Sequence, residues 1–218
     1  AAFLNTLSEA HANSHWHIEQ VGAHRFTIGG SWPNLTATVP DRAVNLVAWW
    51  DGTAYLDWAG LRPMTELEFE KACRGSKGPV ANEYAWGTAD INGSPYYIIN
   101  DGTPSAQIGN MAAGTGNASY NTTDGNINGP MRCGIFAAST VVARRVESGA
   151  SFYGIMELSG NLLERTITIG NDTGRAFTGN HGDGALNAEG LMNVDGWPTE
   201  AGSGGGARGG AYSRPAGE

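Results

Sequence analysis

The chain has 218 residues, 21 acidic against 13 basic side chains and a formal charge of −8, with lysine only at Lys71 and Lys77. It lacks the basic face that phosphate binding needs, so nucleic acid is not an expected partner, and no apolar run approaches the length that spans a bilayer. A 40% hydrophobic share and seven tryptophans give material for a real core and set the chain apart from a disordered acidic tail.

Residues 1–40 read as an N-terminal arm and first strand region. The start is helix-like and carries His11, His15 and His17; the first two share a face if that stretch is helical, and the third points away. The expectation is a polar arm with surface histidines and an exposed Trp16. Arg25-Phe26-Thr27-Ile28 reads as a strand that runs into Gly29-Gly30, and Ser31-Trp32-Pro33-Asn34 reads as a turn.

Residues 41–218 read as one domain. A helix is expected after Pro40-Asp41, with Val44, Val47, Ala48, Ala54, Tyr55 and Trp58 near one face, Asp41 or Asn45 as cap, and Gly60 as stop. Trp49 and Trp50 cannot both face inward on it. Thr65-Glu66-Leu67-Glu68 is a capping box that opens a second helix, which Gly75 ends. From Gly75 to about Asn128, Gly, Asn, Thr, Ser and Asp dominate. A loop region this long needs an organiser, and a metal ion is one such organiser.

Further on, short strands are expected at Tyr97–Ile99 and Cys133–Ala137, a buried turn or strand at Phe152–Met156, a strand over Leu163–Ile169 and a late strand from Arg208 to Tyr212. Cys73 and Cys133 read as two buried free thiols, and spacing alone cannot pair them. Gly204, Gly206 and Gly209 fit G-x-G-x-x-G without a βαβ unit around them, so they read as loop. His181-Gly182-Asp183-Gly184 reads as a turn. Asn34, Asn92, Asn117, Asn121 and Asn171 each begin an N-x-S/T sequon.

Four stretches together resemble one family. Leu61-Arg62-Pro63-Met64-Thr65-Glu66-Leu67-Glu68-Phe69-Glu70-Lys71-Ala72 is similar to the helix that formylglycine-generating-enzyme-like proteins write R-L-P-T-E-A-E-W-E-Y-A. Tyr84-Ala85-Trp86-Gly87 resembles their Y-P-W-G. Tyr153 to Glu164 resembles G-L-Y-D-M-x-G-N-V-W-E, and Arg208-Gly209-Gly210-Ala211-Tyr212 resembles R-G-G-S-W. The order is right from about residue 42 to the end. The resemblance implies an α+β, loop-rich variant of the C-type lectin fold, with two helices packed on short mixed or antiparallel sheets.

The family's copper enzymes place two cysteines after the R-G-G-S-W strand, because thiolates are soft ligands for Cu(I). Here the first of those positions is Arg214, and the second falls beyond Glu218. The resemblance therefore carries no catalytic residue across. It does carry structural Ca²⁺, one or two ions held by side-chain and backbone oxygens. Asn110, Met111, Asp124 and Asn126 match the first site; Glu157, Gly160, Leu162 and Glu164 match the second. The plainer alternative is that Asp124 and Asn126 make turns and that Glu157 and Glu164 pair with Arg132 or Arg165.

The function so implied is a non-catalytic, exported scaffold or binding domain at or outside a bacterial cell surface, with a protein partner or a second copy of itself, and self-assembly into a fibre or surface layer as its stronger form. The opening Ala-Ala-Phe-Leu reads as a trimmed mature end, which points to an extracellular or cell-surface location. One alternative is a metal- and oxygen-dependent enzyme of the formylglycine-generating or sulfoxide-synthase type. Another is a lectin-like module that binds a glycan, although the usual Glu-Pro-Asn and Trp-Asn-Asp calcium signature is absent. Only six residues follow Tyr212, so the last strands are expected to be cut off or supplied by a partner.

Overall fold

Glycine and turn-forming polar residues break this sequence into short elements. The computed structural model describes residues 1–92, 95–121, 127–139 and 144–216. In chain order these hold α1 (Ala2–Thr6), α2 (Glu9–His15), two 3₁₀ turns (Ile18–Gln20 and Ala23–Arg25), β1 (Ile28–Gly29), β2 (Thr36–Ala37), α3 (Trp49–Trp58) and α4 (Glu66–Arg74). There follow β3 (Ile98–Ile99), β4 (Gln107–Ile108), α5 (Ile135–Ser139), β5 (Glu164–Ile167), α6 (Asp172–Arg175) and β6 (Gly205–Arg208). The strands pair as β1–β2, β3–β4 and β5–β6; the first two pairs are antiparallel. This is a mixed α/β chain of small helices and short two-stranded sheets.

The chain divides into two units. The first comprises Ala1–Thr38, Leu46–Glu66 and Arg165–Ala207; the second comprises Val39–Asn45, Leu67–Glu164 and Arg208–Glu218.

In the first unit, Phe3, Leu4, Ala12, Trp16, Phe26, Leu35 and Ala54 form the core. Asn5 holds α1 to this core in both directions: its amide donates to the Leu35 carbonyl at 2.9 Å and accepts from the Leu35 N–H at 2.8 Å. Trp16 is not exposed as expected. It is 5% exposed, and its indole N–H donates to the Ile28 carbonyl at 2.9 Å. The expected surface histidines also need correction, since His15 is buried. Helical spacing placed these residues well, but a polar composition concealed that their apolar face is spent within the same chain.

The expected helix from Asp41 begins only at Trp49. Leu46 takes a left-handed conformation with φ of 57°, which a helix interior excludes. The start is fixed by Asp51, whose Oδ2 accepts from the Ala48 N–H at 2.7 Å. Trp49 turns inward and donates to the Pro198 carbonyl at 2.8 Å, while Trp50 is 52% exposed. Asp57, fully buried on the same helix, accepts from the Asp183 and Asn193 amides at 3.1 and 3.0 Å and so shapes the loop between them.

The second unit packs Tyr96, Ala106, Ile108, Ile127, Met131, Ile135 and Phe136 into one cluster, and Phe69, Ala85 and Leu158 into a smaller one. The strand expected at Cys133–Ala137 is the start of α5 instead; a short buried run has no period that separates helix from strand. The late strand ends earlier than expected, at Arg208, because Gly209 and Gly210 adopt φ of 88° and 75°. Both cysteines are free; Cys73 is half-buried, and Cys133 is exposed where a buried thiol was expected.

Asn117 organises the loop-rich stretch of this unit. Its amide nitrogen donates to the carbonyls of Ala112, Thr115 and Glu147 at 3.0–3.2 Å. Its oxygen accepts from Asn92, Tyr96 and the Ala112 N–H at 3.1–3.3 Å. One buried side-chain amide thus gathers several strands of loop backbone. Two of the five sequons, at Asn92 and Asn117, are consumed in this knot.

Candidate functional site

Separated stretches of the second unit meet around a cavity of about 510 Å³. The face of α4 that carries Phe69, Glu70, Cys73 and Arg74 forms one wall, since these positions recur at helical spacing. Tyr84 and Ala85 form a second wall, Leu158 to Gly160 a third, and Arg208 to Ala211 a fourth, with Tyr120 alongside. Each of the four sequence motifs contributes to this one lining.

Polar bonds hold the walls together. Arg74 donates from Nε and Nη2 to Glu70 Oε2 at 3.0 and 2.7 Å, and from Nη1 to Glu83 Oε1 at 2.7 Å. The Ser159 hydroxyl accepts from the Ala85 N–H at 3.1 Å. Arg145 donates to the Ala85 carbonyl at 2.9 Å from the other side. Tyr84 stacks on Trp86 with centroids 4.8 Å apart, and Trp86 itself is almost wholly buried. Gly116 is required beneath it: a Cβ there would stand 2.0 Å from the indole.

Asn161 is the knot of the third wall. Its φ is 63°, and its backbone N–H donates to the Ser119 carbonyl at 2.8 Å. Its carbonyl accepts from the Tyr212 N–H and its side-chain oxygen from the Met131 N–H, both at 2.8 Å. The Gly160 N–H donates to the Gly209 carbonyl, which joins the third wall to the fourth.

The electrostatics are uneven. Glu157 accepts from the Gly134 N–H with both oxygens at 3.0 Å, and burial pushes its carboxyl up to about 6. Burial, with Glu157 adding repulsion, pushes Glu164 up to about 8. Glu164 Oε2 is buried without a hydrogen-bond partner. Gly209 is what admits it, since a Cβ there would lie 2.1 Å from that oxygen. Burial, then the neighbouring Glu70 and Glu164, pushes the Cys73 thiol up to about 12, so it stands in the wall as a protonated thiol.

The residues expected to hold metal fall into two groups. Glu157, Gly160 and Glu164 belong to this region, and a buried carboxylate oxygen without a partner is a donor suited to a hard cation. Asn110 lies apart, where its side chain accepts from the Tyr97 N–H at 3.0 Å, donates to the Pro95 carbonyl at 2.7 Å and ties the segment before β3 to the segment after β4. Met111 packs against the larger apolar cluster. Asp124 and Asn126 lie outside the described residues. Among the described residues no group of three or more His, Cys, Asp or Glu side chains is arranged to hold a metal.

Sequence reasoning did not single out Glu83, Tyr120 or Arg145. Glu83 carried a signal, since it immediately precedes the Tyr84 motif. Tyr120 and Arg145 carried none, because their neighbours are loop residues without periodicity. Arg145 bonds the Ala85 carbonyl and lies over the Phe152 ring at 5.8 Å.

A family model described as sulfatase-modifying factor enzyme 1-like domain matches residues 10–216. The chain is 42% identical over 76 residues to a protein named formylglycine-generating enzyme from Streptomyces coelicolor, which covers 35% of this chain and 23% of that protein. It is 34% identical over 76 residues to a protein named hercynine oxygenase from Mycolicibacterium thermoresistibile, which covers 34% of this chain and 17% of that one. The matched stretch thus spans less than a quarter of either relative. No solved structure matches. Among the described residues no helix is long and apolar enough to cross a membrane.

Proposed function

Because the chain belongs to the sulfatase-modifying factor enzyme 1-like family, we propose that it keeps the family's motif-lined cavity as a binding site and does not carry its copper chemistry. The observation that carries this reading is the residue after the R-G-G strand. Arg214 stands where a copper-binding thiolate is needed, and a guanidinium cannot supply one. Cys73 stands on α4, far in sequence from that strand, and among the described residues it belongs to no group of three or more His, Cys, Asp or Glu side chains arranged to hold a metal. The cavity then binds without reacting, with Arg74, Tyr84, Tyr120 and Arg208 as the polar and aromatic contacts. We place it on a C-type-lectin-like fold.

Ca²⁺ completes this reading. Glu157 and Glu164, with the carbonyls of Gly160 and Leu162, would hold one ion, which would neutralise the buried carboxylates behind Gly209. A second would be held by Asn110, Met111, Asp124 and Asn126. The donor set at Glu164 supports the first; the ion's contribution there is charge and rigidity. The domain would act outside a bacterial cell, with a protein or a second copy as partner. Support comes from its low lysine content, its Gly/Asn/Thr-rich surface and the exposed Trp50, Leu67 and Tyr153.

The names of the two relatives favour a second reading, an oxidative enzyme with a rearranged metal site. Elemental analysis of the natively purified protein, run beside light scattering, separates the two. The binding reading expects calcium without copper or iron. Stoichiometric copper or iron would overturn it and direct attention to an oxygen-dependent substrate.

A further inference from the structure

The first unit holds a buried histidine whose surroundings fix its protonation. His15 ends α2, and its side chain is 1% exposed. Nδ1 lies 2.7 Å from Asp51 Oδ1, and Nε2 lies 3.0 Å from the Gly190 carbonyl oxygen. Both partners are acceptors only. A neutral imidazole has one N–H and would set a lone pair against one of them. Only the imidazolium, with two N–H groups, satisfies both. Asp51 is the natural counter-ion, since its other oxygen is spent on the Ala48 amide at the start of α3. A cation at the end of α2 and an anion in the first turn of α3 also suit the two helix dipoles.

The groups around this pair do not offer His15 another donor. On α3, Asp57 is committed to the Asp183 and Asn193 amides. On α1, the Phe3 ring stands 5.9 Å from the imidazole. On α2, the His11 ring lies close against Gly190. On the loop, Glu189 is exposed. The turn that presents the Gly190 carbonyl is closed by Asn187, whose side chain accepts from the Glu189 and Leu191 amides at 3.0 and 2.9 Å.

We propose that His15 is a doubly protonated latch that ties the 187–191 turn to α2 and α3, and that loss of its proton releases that turn. The neutral ring keeps its N–H on the carboxylate, the stronger acceptor, so the Gly190 carbonyl is the partner given up. Direction follows from linkage. The Asp51 hydrogen bond, working against burial, raises the folded pKa above the ordinary 6.5. The latch is therefore complete below 6.5 and is lost as pH rises through the higher folded value. The proposal is independent of the cavity and of any cation there.

The test is an NMR titration of the ¹⁵N-labelled full chain from pH 5.5 to 9.5. Long-range imidazole spectra report the His15 state, and amide exchange reports the turn. The expected result is both ring nitrogens protonated at pH 6.5 and a His15 midpoint above that value. Exchange of the Gly190 and Leu191 amides, corrected for the intrinsic pH dependence of exchange, should then rise about tenfold across that midpoint, the worth of one hydrogen bond. In Asp51→Asn the midpoint should fall, with the exchange step moving with it. A singly protonated ring at pH 6.5 would overturn the proposal. So would a raised midpoint with no response in the turn.

Discussion

The two units treat buried carboxylates in opposite ways. In the first, Asp57 accepts from two backbone amides and Asp51 from an amide and an imidazole, so each buried oxygen has a donor. In the second, Glu157 meets one amide with both oxygens, while Glu164 keeps an oxygen that meets none. Burying an unmatched charge costs free energy unless something else neutralises it. The first pattern is how a chain fixes its own loops. The second leaves a donor ready for something outside the chain.

The largest effect should come from breaking the satisfied pattern. Asp57→Ala takes the acceptor away from the Asp183 and Asn193 amides, and hydrogen bonds to a charged group contribute about 1.5–3 kcal/mol each. A loss of about 3–5 kcal/mol in urea denaturation is expected. A loss below about 1 kcal/mol would mean that the loop simply re-pairs with water and that the comparison is misdrawn. Next comes the neutral knot of the second unit. Asn117→Ala removes an amide that bonds several loop segments, and about 2–4 kcal/mol is expected. Amide exchange over residues 112–117 should report it first.

These two residues also mark what the sequence made legible. The motifs around Phe69, Tyr84, Asn161 and Arg208 could be read because each needs a fixed spacing, and they converge on one cavity. α4 could be read because capping and stop residues are local. Asn117 could not be read as the organiser. Asparagine suits any turn, and only distant partners such as Tyr96 and Glu147 give it this role. His15 and Trp16 were misplaced for a related reason: their partners, Gly190, Asp51 and Ile28, come from other segments. Nothing in the local sequence announces such pairings.

The unsatisfied pattern gives a smaller, conditional effect that sharpens the comparison. Without a cation, Glu164 has a folded pKa of about 8 against an ordinary 4.5. A raised carboxylate pKa means that the unfolded chain loses its proton first. In chelator, then, the stability Glu164 contributes is present below 4.5 and is lost as pH climbs towards 8. Glu164→Gln should flatten that part of the curve. Added calcium should raise the Tm of the native protein at pH 8 more than that of the variant, which keeps only the second proposed ion. Equal responses in both would detach Glu164 from the proposed ion.

The smallest expected effect concerns neighbouring tryptophans on α3. Trp49 is buried and bonded to Pro198, whereas Trp50 is half in solvent. Trp50→Ser removes little buried area, so monomer stability should move by no more than about 0.5 kcal/mol. That small number makes the variant useful. An exposed indole that does nothing for the monomer is free to serve an association surface, where aromatic side chains contribute most. Sedimentation of native protein and variant over a range of concentrations decides it. If the native chain associates and Trp50→Ser weakens that association without changing the melting transition, the indole belongs to the partner surface. If both sediment alike, Trp50 is an isolated exposed apolar residue, which folded proteins tolerate without consequence.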